Sequence, residues 1–212
     1  MFEQSQKRFF SVVLVLVLLI SLFSSVTASA QEVVPYGIPN PEYPGTTIAM
    51  EPGDVLYSSK SLGGSSPIVG HVGIVGTDFR VYHVNPVAEN GVTGGKSDDI
   101  TTYRNRHASG QTITIYKLRA GASYATNAAN WAKVNYSRVT NYSIPIYSWE
   151  DFKLSTINPN YCSKFLWQAF YYGNNRTDYV TGYWTDSKEV VVPPYMFADS
   201  SVFAFSGTFT RP

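Results

Sequence analysis

Cysteine, histidine and charge are all scarce in this chain. Its 212 residues hold one cysteine, three histidines and 15% charged residues. A single cysteine cannot close an internal disulfide, so the crosslinked scaffolds of small exported domains are excluded. A structural zinc site asks for four closely spaced ligands. That leaves only a catalytic zinc, held by the cysteine and two histidines, as a minor alternative, and no metal or cofactor is expected. The formal net charge is +1. Nucleic-acid binding demands a basic patch, so no nucleic-acid partner is expected, and nothing supports binding to anionic membranes. No Gly-x-Ser-x-Gly elbow signals Ser/His/Asp chemistry. No internal repeat and no heptad pattern is present.

What is there begins with a processing signal. Lys7 and Arg8 precede an apolar run from Phe9 to Phe23, broken only by Ser11 and Ser21. The run is shorter than the roughly 20 apolar residues of a comfortable membrane span. Ala28-Ser29-Ala30 fits the small-x-small cleavage pattern. Residues 1–30 read as a signal peptide, so the membrane matters only during export and the mature protein is expected to be secreted or associated with the cell wall. Removing them takes away Glu3, Lys7 and Arg8 and leaves 14 basic and 14 acidic residues. Residues 31–50 are rich in proline and read as an N-terminal arm, either extended over the domain or disordered. Residues 51–212 form one domain, long enough to bury a real core.

A lone cysteine in an exported chain is a buried apolar residue, an intermolecular bridge or a nucleophile. Cys162 follows Pro159 and precedes an apolar pattern of helical spacing: Phe165, Leu166, Ala169, Phe170 and Tyr172. Asn158 or Asn160 can cap that helix. The spacing puts Cys162 in the first helical turn, where unpaired N–H groups and the helix dipole favour a thiolate. A thiolate that attacks a carbonyl still needs a base.

The histidines supply candidates. Asp54 to Ser58 reads as a strand, 59–69 as a Gly/Ser/Pro loop over a site, and Gly70-His71-Val72-Gly73-Ile74-Val75 and Arg80-Val81-Tyr82-His83-Val84 as an antiparallel hairpin. His71 and His83 are 12 residues apart, so an odd-length loop places both on one face. With Gly76-Thr77-Asp78 as the loop, the two would stand directly opposite, their Cβ atoms about 5 Å apart. His71, flanked by glycines, is the candidate base, and His83 the group that fixes its tautomer. His107, in a polar run, reads as a solvated surface residue.

Further along, 85–95 reads as loop, with Asn90-Gly91 and Gly94-Gly95 as turn pairs. Ser97 to Ile100 starts a short helix that presents Tyr103, Arg104 and Arg106. Thr112 to Leu118 alternates as a strand, and Ser123 to Val134 reads as a helix with small packing residues. Residues 135–159 form a long Tyr-rich connection. Glu189 to Val192 reads as a strand, Tyr195 to Ala198 as one helical turn, and Ser201 to Phe205 as a last strand. The sixteen tyrosines and four tryptophans serve a core, or line a groove for sugars or peptides.

The order Gly53-Asp54-Val55-Leu56, Gly70-His71-Val72-Gly73-Ile74-Val75, Val81-Tyr82-His83 and Tyr161-Cys162-Ser163-Lys164-Phe165 resembles the permuted papain-like amidases. These are the YiiX and YycO-like bacterial proteins, relatives of NlpC-type cell-wall peptidases. The histidine-first layout is similar to that of the lecithin retinol acyltransferase family. The resemblance, over about residues 51–205, implies an α+β fold: a circularly permuted, papain-like domain with a nucleophile-bearing helix on an antiparallel sheet or half-barrel. It implies Cys162 as nucleophile, His71 as general base and His83 as the third polar residue. A cysteine amidase or peptidase acting on peptide or muropeptide substrates is the expected activity. The rivals are an acyltransferase using the same triad and a catalytically silent binding module.

Overall fold

The computed structural model describes residues 39–63, 70–144, 153–180 and 191–212. The expected signal peptide, residues 31–38 of the N-terminal arm, residues 64–69 of the 59–69 loop, residues 145–152 of the Tyr-rich connection, and Glu189 and Val190 lie outside the described residues; Val191 and Val192, expected to end a strand, are not in one.

Six strands form one antiparallel sheet: β1 (Val55–Ser58), β2 (His71–Val75), β3 (Val81–Glu89), β4 (Val92–Asp98), β5 (Thr112–Leu118) and β6 (Phe203–Thr210), in the order β4-β3-β2-β1-β5-β6. Three described α-helices accompany it: α1 (Ile100–Asn105), α2 (Ala122–Asn135) and α3 (Cys162–Gly173). Short 3-10 turns at Tyr136–Arg138 and Pro194–Ala198 complete the described elements. The class is α+β, as expected.

Alternation along the strands gives the sheet two buried faces. Val55, Val72, Ile74, Tyr82 and Val84 face α2 and α3. Leu56, Val75, Val81, Ile113, Ile115 and Phe209 pack on the other side with Tyr43, Met50 and Tyr103. Tyr43 stacks on Phe209 with ring centroids 5.3 Å apart, so the stretch from Pro39 to Met50 helps cover that second face.

Helix α3 is the centre of the first face. All ten residues from Cys162 to Tyr171 are buried. A helix buried all round belongs to a core rather than a surface. Phe165, Leu166, Trp167 and Phe170 have no exposure, and each large apolar side chain removed from water contributes about 2 kcal/mol before chain entropy is charged against it. The alanines of α2 (125, 128, 129 and 132) are buried with it and let the two helices approach.

The stretch 85–95 is not a loop. It is the end of β3, a two-residue turn and the start of β4. Asn90 and Gly91 have φ of 53° and 79°, the left-handed pair that matches strand twist in a tight hairpin. Gly94, Gly95 and Lys96 are poor strand formers, but β4 is held by its ladder to β3, with Tyr82 opposite Ser97 and Val84 opposite Gly95; pairing overrides propensity. The short helix therefore begins at Ile100 rather than in 97–100. Asp99 caps it, accepting from the Thr102 N–H at 2.8 Å and the Thr102 hydroxyl at 2.7 Å. The last strand starts at Phe203 and runs on to Thr210.

Candidate active site

The β2–β3 hairpin brings His71 and His83 together, although not as direct partners. Ile74 pairs with Tyr82 and Val75 with Val81. The intervening loop is residues 76–80, longer than the three-residue loop expected but still odd, so both histidines project to the same face. Continued, this register sets His83 against Gly73. The rings meet on the diagonal, with Nε2 of His71 3.0 Å from Nδ1 of His83 and the ring planes at 89°.

A third member extends the chain. His83 Nε2 lies 2.8 Å from Asp98 Oδ2 at the end of β4. Asp98 in turn accepts from Arg106 at Nε (2.5 Å) and Nη2 (2.9 Å). Arg106 also reaches Glu89, which pairs with Lys96 at 3.0 Å. Asp98 and Arg106 were not expected here, because the sequence around Asp98 reads as a helix start. The even separation of Lys96 and Asp98 on β4, facing His83 and Val81, is the signal that would have found the carboxylate.

The tautomers follow from the partners. A carboxylate only accepts, so His83 Nε2 carries the proton. Burial lowers the His83 pKa despite Asp98, so the ring is neutral and its Nδ1 accepts. His71 must then donate through Nε2, which leaves the lone pair on its Nδ1. Burial, with His83 and His107 nearby, pushes His71 well below the ordinary histidine range. Burial alone would raise the Asp98 pKa, but Arg106 and His83 outweigh it and hold the carboxyl far below the usual range.

Tyr103 of α1 wedges among the rings, 5.1 Å from His83 and 6.0 Å from His71 between centroids. Its hydroxyl donates to the Leu56 carbonyl at 3.2 Å. Gly73 makes room, since a Cβ there would stand 3.0 Å from the Tyr103 ring and 2.8 Å from Val81. His107, expected on the surface, is fully buried on the same side. It donates from Nδ1 to the Tyr103 carbonyl at 3.1 Å, and its ring lies 6.0 Å from that of His71.

Cys162 is the first residue of α3, as its sequence position requires. It packs with the core on the helix face of the sheet, whereas His71 and His83 project from the other face. The sulfur is served by the backbone N–H of Val72, the residue next to His71. Thiol and imidazole thus share the head of β2, but among the described residues no hydrogen bond joins Cys162 to either histidine. The thiolate expectation is also corrected. Burial pushes the Cys162 thiol up to about 11, in spite of the donors from Val72 and Ser163. In a site with so little water a neutral thiol beside a neutral imidazole costs less than an ion pair.

Neither asparagine caps the helix. Tyr161 is the N-cap, without a side-chain bond. Asn160 instead accepts from the Tyr161 N–H at 2.9 Å and donates to Gln168 at 2.7 Å. Gln168 donates to the carbonyls of Leu154 and Thr156. The segment before Cys162 is therefore tied to the middle of α3 itself.

Beside the thiol lies a small cavity of about 10 Å³, lined by Tyr142, Ile144, Tyr161, Val192 and Pro194 together with Cys162 and Ser163. That is room for roughly one water. No charged residue lines it. Among the described residues no group of three or more His, Cys, Asp or Glu is arranged to hold a metal, and no helix is long and apolar enough to cross a membrane.

The model of a family described as lipoprotein N-acylation protein LnsA-like matches residues 8–204. An uncharacterized 30.3 kDa protein of Bacillus thuringiensis is 26% identical over 167 residues, which are 76% of this chain. The chain spans 57% of the length of that curated relative. No solved structure matches the chain.

Proposed function

The chain belongs to the LnsA-like family of lipoprotein N-acylation proteins, a family of acyltransferase/amidase-type enzymes, and we propose that it moves an acyl group onto an amine through a thioester on Cys162. The observation that carries this reading is the hydrogen-bonded chain from His71 through His83 to Asp98. It leaves one basic nitrogen, His71 Nδ1, at the strand head where the thiol also lies.

In the proposed cycle His71 Nδ1 takes the proton of the Cys162 thiol as the sulfur attacks an acyl carbonyl. The tetrahedral intermediate collapses to the thioester, and the leaving oxygen or nitrogen takes the proton back from His71. An amine then attacks the thioester. Its proton passes to His71 and on to the departing sulfur, which restores the thiol and leaves an amide. His83 holds His71 in the required tautomer, and Asp98 stabilises the imidazolium that forms in each half-reaction. In the resting structure the thiol and the imidazole stand on opposite faces at the head of β2 without contact, so this reading requires the start of β2 to rearrange when substrate binds and to bring His71 Nδ1 to the sulfur. On this reading the domain is papain-like with the histidine strand ahead of the cysteine helix, and it works on the exported side of the membrane.

The acceptor separates this reading from the hydrolytic one. Water in place of the amine gives an amidase, the activity expected for muropeptides. The uncharged, mostly apolar lining beside Cys162 suits an acyl chain better than a muropeptide; with room for about one water at rest, the cavity must open to admit the chain. The test is to incubate the purified protein with phospholipid vesicles and an amine-bearing lipopeptide. Intact mass should show a hydroxylamine-labile acyl adduct on Cys162, then acylated peptide, with both lost in Cys162→Ser and slowed at least 100-fold in His71→Ala. Free fatty acid alone, or cleavage of a muropeptide without acyl transfer, would replace this proposal with the hydrolase.

A further inference from the structure

Ser163 is fully buried, and its hydroxyl has no partner of hydrogen-bonding geometry. Nearby polar side chains are bonded: Asn160, just before α3, to Gln168, and Gln168, on α3, to the Leu154 carbonyl. A buried hydroxyl without a partner is costly relative to one that is paired. A serine in the first turn of a helix ordinarily finds a backbone group. This one lines the cavity at the thiol together with Cys162 itself. The Ser163 hydroxyl itself faces the sulfur, short of full hydrogen-bond geometry, and together with the N–H groups of Val72, Ser163 and Cys162 it holds the thiol pKa down against burial, so the positive ends of several dipoles converge there, at the start of a twelve-residue helix.

We propose that the Ser163 hydroxyl is the side-chain donor to the oxyanion formed when Cys162 attacks an acyl carbonyl. This rests on the acyl-transfer reading of Cys162. As the sulfur bonds to the carbonyl carbon, the carbonyl π pair moves to oxygen. The Ser163 O–H donates to that oxygen, keeps its own proton throughout, and is released when the intermediate collapses and expels the leaving group. A donor held dry beside the sulfur, with no hydrogen bond of good geometry to break, needs little reorganisation when charge develops, which is the condition under which oxyanion donors act most strongly. Ser163 would thus touch the reacting atoms and count as a catalytic residue.

The experiment compares wild type with Ser163→Ala by three measurements on the full mature chain. The first is the rate of Cys162 acylation by p-nitrophenyl butyrate, read from the nitrophenolate burst and the mass of the adduct. The second is the rate of alkylation by iodoacetamide at pH 9, a displacement at a saturated carbon that forms no oxyanion. The third is the midpoint of thermal unfolding. Acylation should fall roughly 100-fold, alkylation should stay within twofold, and the midpoint should hold or rise, because an unpaired buried hydroxyl has been removed. Acylation within threefold of wild type overturns the donor role. So does a parallel fall of acylation and alkylation, or a lowered midpoint that accounts for the loss. A wild-type protein that forms no acyl adduct on Cys162 overturns the acyl-transfer reading and the donor role with it. A wild type that acylates beside an unimpaired Ser163→Ala overturns the donor role alone.

Discussion

His71 and His83 meet on the diagonal across an empty position. The residue facing His83 on β2 is Gly73, and the two imidazoles close over it at 3.0 Å. Direct cross-strand partners stand side by side, whereas diagonal neighbours must lean toward each other. Here Tyr103 fills the space above Gly73 and fixes that lean. The result is an edge-on contact that commits His71 Nε2 and His83 Nδ1 to each other and leaves His71 Nδ1 outside it.

The first prediction concerns the thiol. Because burial pushes Cys162 up to about 11, its alkylation by iodoacetamide should be slow at pH 7 and climb about tenfold per pH unit through pH 9 to 10. His71→Ala should change this profile little in the free protein. A plateau of fast labelling below pH 7 would show a preformed imidazolium–thiolate pair and refute the neutral resting state.

The second concerns Asp98. Asp98→Asn keeps the shape but offers an amide where His83 needs an acceptor of charge. The neutral carboxamide can turn its N–H₂ to His83 and reverse both tautomers, which would put the proton on His71 Nδ1. The rate of Cys162 acylation should drop about 10³-fold or more. Arg106 also loses its carboxylate, and breaking a buried pair costs about 3–5 kcal/mol. Glu89 remains as an exposed partner, so the low end applies. Urea unfolding measures the second effect, and single-turnover acylation the first. Acylation within tenfold of wild type would remove Asp98 from the mechanism.

The third is a pH dependence of stability. His71, His83 and His107 are all held below the ordinary histidine pKa, chiefly by burial, and His107 lies at about 4. Below the unfolded-state pKa of about 6.5 the unfolded chain binds protons that the folded chain refuses, so stability falls as pH falls. For His107 the loss runs from about 6.5 down to its folded value, at up to about 1.4 kcal/mol per pH unit. His107→Gln should be less stable at pH 7, through its weakened bond to the Tyr103 carbonyl, yet show a shallower decline between pH 6.5 and 4. Equal slopes for the two proteins, measured by urea titration at a series of pH values, would sink the idea.

Much of this site is legible in the sequence. The even spacing of the histidines fixes their common face whatever odd loop joins β2 to β3, so parity survived although the loop is five residues rather than three. The apolar spacing after Pro159 identifies α3, and Cys162 at its start. What local patterns could not carry is anything set by a partner far along the chain. The glycines of β4 look like loop until β3 is laid beside them. Asp98 looks like a helix start because Asp99, one residue on, is one. His107 sits among Arg104, Asn105 and Arg106 and reads as solvated, yet the packing of α1 turns it inward. The thiolate expectation came from the helix terminus alone, and desolvation of the sulfur outweighs that terminus.

The total burial of α3 has a geometric corollary. A surface helix absorbs an inserted or deleted residue by letting its ends re-register, because only one stripe is committed. In α3 every direction from Cys162 to Tyr171 is committed. Gaining or losing one residue there would rotate one end against the other by about 100°. Either the aromatic side chains or the sulfur would then have to leave its place. The length of chain between Cys162 and Gln168 is therefore as fixed as the identity of the cysteine. Variants of this domain that remain competent are expected to differ in side chains along α3, and in the length of the segments outside it.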